Sequence, residues 1–284
     1  LIDAATTGNI TYGSSNDYTV SDSTISAGQL NSLNAQYSGT VDATAVTTIT
    51  GTAAEINTVY SSSGISGLGD EGVTVTDTHT LAQLKAINNA TSGQLTLNDY
   101  SVAISGSAAD IKAALAGTFA AAYTGNVVIN DANGSNIAAA DISTIAGATN
   151  GTATVTNNIN ITGTSAAIAT AVANIDTFSG TPTATLSDAH TLAQLKAINN
   201  ALSGTLTLND VTVTLSGSSA DVAAALDGSF ASGYTGNVTL SDTPTNAQLA
   251  LIDAATTGNI TYSGSNDYTV SDSTISAGQL NSLN

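Results

Sequence analysis

Residues 1–34 read LIDAATTGNITYGSSNDYTVSDSTISAGQLNSLN, and residues 251–284 repeat them with one local exchange, Gly13-Ser14 becoming Ser263-Gly264. Self-similarity at a fixed period constrains architecture more than any local pattern does. The long period carries Leu1 onto Leu251. A second register lies inside it: the stretch from Val73 returns from Ala184, so that His79 maps onto His190 and Tyr123 onto Tyr234. Shorter still, a glycine precedes an extended segment at Gly8, Gly39, Gly72, Gly93, Gly125, Gly151, Gly180, Gly204, Gly236 and Gly258. The intervals are unequal, shortest from Gly72 to Gly93 and longest from Gly39 to Gly72. Units of roughly 20–50 residues cannot bury an apolar face alone and must stack on their neighbours, which defines a solenoid. The chain stops inside its second copy, at Asn284, and the natural molecule is expected to continue past both ends.

One coil is cleanest at 236–258. NVTLSD alternates apolar and polar residues, placing Val238 and Leu240 on one face, the pattern of a strand covered on one side. Val73/Val75, Leu95/Leu97, Val102/Ile104, Leu206/Leu208 and Val213/Leu215 repeat it. The second half of each unit changes period: Leu81, Leu84 and Ile87 are three apart, and Val222 and Leu226 four apart, the stripe of a short helix. A Ser or Thr followed three residues later by Gln, Glu or Asp marks helix starts at Ser26/Gln29, Thr52/Glu55, Thr80/Gln83, Ser107/Asp110, Thr191/Gln194, Ser218/Asp221, Thr245/Gln248 and Ser276/Gln279. This is the spacing of a reciprocal capping box. Glycine after each helix is expected to take the left-handed cap conformation. The expected fold is an α/β solenoid of short parallel strands (two in the longer units) and short helices. It runs as one continuous body over residues 1–284, with about nine coils in each long period. Leu84, Ile87, Leu195, Ile198, Val222, Val238 and Leu240 should face its core. At about 4.8 Å per coil, one period spans roughly 43 Å.

Composition removes several functions. Charged residues are 8% of the chain against about 25% in typical domains. The only basic residues are Lys85, Lys112 and Lys196, against 21 acids, for a net charge of −18. Nucleic acid is excluded as a partner, because phosphate binding needs clustered Lys and Arg. No apolar run is long enough to insert in a membrane. Apolar residues at 42% in patterned runs argue for a folded chain, and the nearest thing to a flexible linker is SSSGISGLG at 61–69. Cys is absent, which removes disulfides, thiolate metal sites and thiol nucleophiles.

Three sets of side chains merit weighing for chemistry. His79 and His190 occupy equivalent turns, which points to a structural role rather than a uniquely tuned base. Asp70-Glu71, the one adjacent acidic pair, sits in a Gly-rich turn and reads as solvated. An aspartate closes strand after strand, at Asp22, Asp77, Asp99, Asp131, Asp188, Asp210, Asp242 and Asp272. These either accept backbone N–H bonds in turns and caps, or stack at the coil spacing and bind Ca²⁺, the hard cation suited to oxygen ligands. No phosphate loop, nucleophile elbow or Cys/His metal spacing occurs, and an enzyme is not expected. Thr-rich strands raise ice binding, which the variable coil length argues against.

The phrases SDAHTLAQLKAINNALSG, SGSSADVAAALDG and YTGNVTLSD resemble the repeat regions of very large secreted cell-surface proteins of bacteria, cyanobacteria in particular. The resemblance covers essentially the whole chain and transfers no catalytic residue. It implies an extracellular or cell-surface structural role in a fibre, filament or surface layer. The partner would be the protein itself, head-to-tail or within a longer covalent chain. The alternative is an adhesin stalk whose ligand-binding domain lies outside this segment.

Overall fold

The computed structural model describes residues 17–262. The repeats at 1–16 and 263–284, the expected Ser276/Gln279 box and Asp272 lie outside them. Nine helices are present among the described residues: α1 (Ala27–Gln36), α2 (Ala53–Ser61), α3 (Leu81–Ala90), α4 (Ala108–Leu115), α5 (Ala139–Gly147), α6 (Ser165–Asn174), α7 (Leu192–Ala201), α8 (Ser219–Leu226) and α9 (Asn246–Ala255). The described residues divide into two compact units, residues 17–128 with 148–152, and residues 129–147 with 153–262. Each unit is a stack of α/β coils.

In the first unit, strands Thr24–Ser26, Thr48–Gly51, Gly72–Val75 and Leu95–Thr96 pair in parallel. Their register places Ile25, Ile49, Val73 and Leu95 in one buried column. A smaller parallel sheet joins Tyr18–Thr19, Val41–Asp42 and Ile65–Ser66. The second unit repeats the plan. Asn136–Ala138, Asn160–Gly163, Thr183–Leu186 and Leu206–Thr207 stack Ile137, Ile161, Ala184 and Leu206. Leu215–Gly217, Val238–Leu240 and Ile260–Tyr262 form a further parallel sheet. The short Gly-to-Gly units carry one strand before the helix, and the longer ones two. Leu84, Ile87, Leu195, Ile198, Val222, Val238 and Leu240 are all fully buried. Each such side chain contributes about 1.5–3 kcal/mol relative to exposure.

Local chemistry sets the helix starts. Reciprocal capping boxes form at Ser26/Gln29, Thr52/Glu55, Thr80/Gln83, Thr191/Gln194 and Thr245/Gln248. Ser107 and Ser218 accept the N3 amide, but Asp110 and Asp221 close no box. One methylene shorter than Glu, these carboxylates lean instead toward Lys85 and Lys196 on the preceding helices. Thr164 caps α6, which the box pattern does not reveal because the third residue is Ala167.

Two expectations need correction. The first is the left-handed glycine cap. The C-caps at Tyr37, Ser62, Thr91, Ile175, Leu202 and Thr256 are extended, and positive φ among the described residues is confined to Gly67, Gly69, Gly134 and Gly163. Glycine is required after the helices for a different reason: the backbone of the neighbouring coil passes too close for a Cβ. A Cβ on Gly151 would lie 2.6 Å from the carbonyl oxygens of Thr124 and Gly125, and one on Gly236 would overlap the Val213 carbonyl. A threonine two residues upstream often completes the junction. The hydroxyls of Thr91, Thr149 and Thr256 donate to the carbonyls of Glu71, Gly125 and Gly236 at 2.7–2.8 Å and accept the N–H of Gly93, Gly151 and Gly258. The second is the 61–69 stretch, which is no linker: Ile65–Ser66 pairs with Val41–Asp42, and Gly67 takes φ +80° beside Thr44.

Candidate functional site

The strand-end aspartates sort by what their carboxylates accept. Asp77, Asp188 and Asp242 each reach back to the preceding coil and accept the first helical N–H of α2, α6 and α8: Ala53 at 2.8 Å, Ser165 at 2.6 Å and Ser219 at 2.7 Å. A carboxylate at a helix N-terminus satisfies an orphan donor and meets the positive end of the macrodipole. Asp99 and Asp210 instead fold onto their own turns, accepting the N–H and hydroxyl of Ser101 and Thr212 at 2.7–2.8 Å. Those bonds, the hydroxyl's first, hold both carboxyls below the usual aspartate value. Asp22 is exposed and Asp131 half-buried. Among the described residues, no three His, Cys, Asp or Glu side chains gather as a metal-binding group.

Asp70 and Glu71 part company. Asp70 is exposed, but Glu71, expected in solvent, is 2% exposed. Its carboxylate accepts the Tyr60 hydroxyl and the N–H groups of Gly69 (2.7 Å) and Asp70 (3.2 Å). The Gly-rich turn wraps these amides around the carboxylate instead of opening it to water. Burial and then the Glu71 bond raise the Tyr60 phenol well above its ordinary value. This pair is not duplicated: in the register that carries His79 onto His190, the matching residues are Ala171 and Pro182.

The histidines are buried, His79 at 4% and His190 at 3% exposure. Each Nε2 meets a tyrosine hydroxyl, Tyr123 at 3.2 Å and Tyr234 at 3.0 Å. Those hydroxyls donate their single proton to the carbonyls of Val102 (2.6 Å) and Val213 (2.7 Å). Nε2 must then carry the imidazole proton and donate it, and Nδ1 is left bare, sealed and without a partner. No chemical motif in the sequence singles out the tyrosines, although their place beside the histidines in the shared register marks them.

An open groove lined by Thr80, Leu81, Lys85, Asn89, Gly106 and Asp110 recurs at Thr191, Leu192, Lys196, Asn200, Gly217 and Asp221. Its lysine is paired with its aspartate, so neither is a free nucleophile or base. No family model, curated protein or solved structure matches the chain. No helix among the described residues is long and apolar enough to cross a membrane.

Proposed function

We propose that the chain is a structural, non-catalytic segment of an extracellular or cell-surface fibre, filament or layer. It would associate with itself, head-to-tail or as part of a longer covalent chain, as the resemblance to bacterial surface repeats implies. One observation carries the reading: polar groups are spent on coil-to-coil cohesion, and most of them occur in duplicate. The His–Tyr pairs, the Lys–Asp pairs and the aspartates on helix amides recur at matching positions. A catalytic site needs a nucleophile or base with access to substrate, whereas the histidines and the amide-bound aspartates face the neighbouring coil and each groove lysine is paired with its aspartate. Repeated heterologous contacts that do not close on themselves generate open fibres. Electron microscopy of the native material tests the proposal. A continuous filament or layer with an axial repeat of roughly 43 Å for each long period supports it. Separate stalks with distinct tips favour the adhesin reading, and a compact non-assembling particle refutes both.

A further inference from the structure

Among the described residues, each unit seals one imidazole whose only hydrogen-bond partner is a tyrosine hydroxyl. We propose that the His79–Tyr123 and His190–Tyr234 pairs are acid-sensitive latches that hold their coils closed while the ring is neutral and release them when it takes a proton. The geometry leaves a second ring proton nowhere to go. Nδ1 is buried without a partner, so protonation creates a sealed cation with an unsatisfied donor, a strongly disfavoured state. Relief requires the ring to leave its site. His79 immediately precedes the N-cap of α3, and His190 that of α7. Tyr123 and Tyr234, each 44 residues downstream, lead directly into the close backbone contacts of Gly125 and Gly236. Ejecting the ring therefore unfastens a helix start from the turn that closes the next coil.

The titratable groups facing His79 are Asp77 on its own turn, Asp99 on the next strand-end turn, and Tyr123. Those facing His190 are Asp188, Asp210 and Tyr234. The aspartates favour the charged ring, but each has an oxygen engaged elsewhere, on Ala53, Ser101, Ser165 and Thr212. Burial outweighs them and lowers both histidines from the ordinary 6.5. A folded value below the unfolded one means stability that is complete above about pH 6.5 and is lost as pH falls from there toward the folded value.

Unfolding of the full chain between about pH 7.5 and pH 5 tests the latch. The wild-type unfolding constant is expected to rise by up to about tenfold per pH unit for each histidine below the unfolded value. Glutamine offers an N–H to the tyrosine hydroxyl and does not titrate, so H79Q and H190Q should each remove their share and the double variant should be flat in this window. Carboxylates, with ordinary values of 3.8 and 4.5, act lower. Equal pH dependence in wild type and double variant overturns the proposal. Should the variants not fold, proton NMR of the wild-type rings decides. Resonances that keep their neutral form until the folded signals vanish support the latch, and rings titrating near 6.5 in fully folded protein refute it.

Discussion

Gly233 and Gly236 lie in the same unit, one helical turn's worth of sequence apart, and the structure assigns the same substitution opposite signs at the two positions. Neither has positive φ. A Cβ on Gly233 meets nothing within 4 Å, so Gly233→Ala only restricts the unfolded chain and should stabilise by about 0.4–1 kcal/mol. On Gly236 the added carbon would overlap the Val213 carbonyl and sit 2.8 Å from the Tyr234 ring. Backbone or ring must move, at about 1–3 kcal/mol for forced overpacking. The same carbonyl accepts the Tyr234 hydroxyl at 2.7 Å, and loosening that bond adds about 0.5–1.5 kcal/mol. Gly236→Ala should therefore destabilise by about 2–4 kcal/mol. Urea unfolding monitored by circular dichroism reads both variants, with the midpoint and slope fitted separately because two units need not unfold together. Gly236→Asn separates the close-approach argument from a left-handed cap: a cap tolerates Asn better than Ala, while a crowded backbone contact tolerates it worse. A shift under about 0.5 kcal/mol for Gly236→Ala, or a milder effect of Asn than of Ala, refutes the reasoning.

Other substitutions test the remaining contacts. Leu195→Ala empties a fully buried position on α7 and should cost about 2–5 kcal/mol by chemical denaturation. Tyr60→Phe removes the hydroxyl from buried Glu71, with an expected loss of about 1–3 kcal/mol that a neutral result in the same assay would contradict. Asp188→Ala strips an acceptor from the first amide of α6 and should lower the unfolding free energy by about 0.5–2 kcal/mol, with Asp188→Asn recovering part of it.

The elements are legible because each is written in local periodicity. Alternation locates the strands around Val73 and Val238, three-and-four spacing locates α3 and α8, and the Ser/Thr-to-Gln or Glu spacing locates five reciprocal boxes. A solenoid makes this local reading powerful, because an element's immediate partners are copies of itself. Features that depend on residues one coil or more away stay hidden. The task of the glycines is misread locally because the crowding carbonyl at Gly236 belongs to Val213, in the previous turn of the stack. Glu71 reads as solvated because it stands beside Asp70 in a Gly-rich turn. Its Tyr60 partner, 11 residues upstream, leaves no periodic trace.

The aspartates show why coil-to-coil polar contacts escape such a reading. Asp77, Asp99, Asp188 and Asp210 all close strands, yet two accept an amide of the preceding helix and two accept one of their own turn. The distinction lies in the residue two positions beyond the carboxylate. Beyond Asp99 and Asp210 it is a hydroxyl residue, which turns its N–H and O–H back to the acid. Beyond Asp77 and Asp188 it is the latch histidine, whose ring turns inward to tyrosine. Beyond Asp242 it is Pro244, which has no N–H to offer. With no local hydroxyl to hold it, the carboxylate reaches for the helix N-terminus of the neighbouring coil. For these five acids, that residue separates the two arrangements. Ser101→Ala removes the strongest of the bonds that lower the Asp99 carboxyl, and carbon NMR titration should show its pKa moving back toward the ordinary 3.8. The Asp77 bond to Ala53 belongs to a different coil, so hydrogen exchange at the Ala53 amide should keep its wild-type protection. An unmoved Asp99, or loss of protection at Ala53, would break the proposed rule.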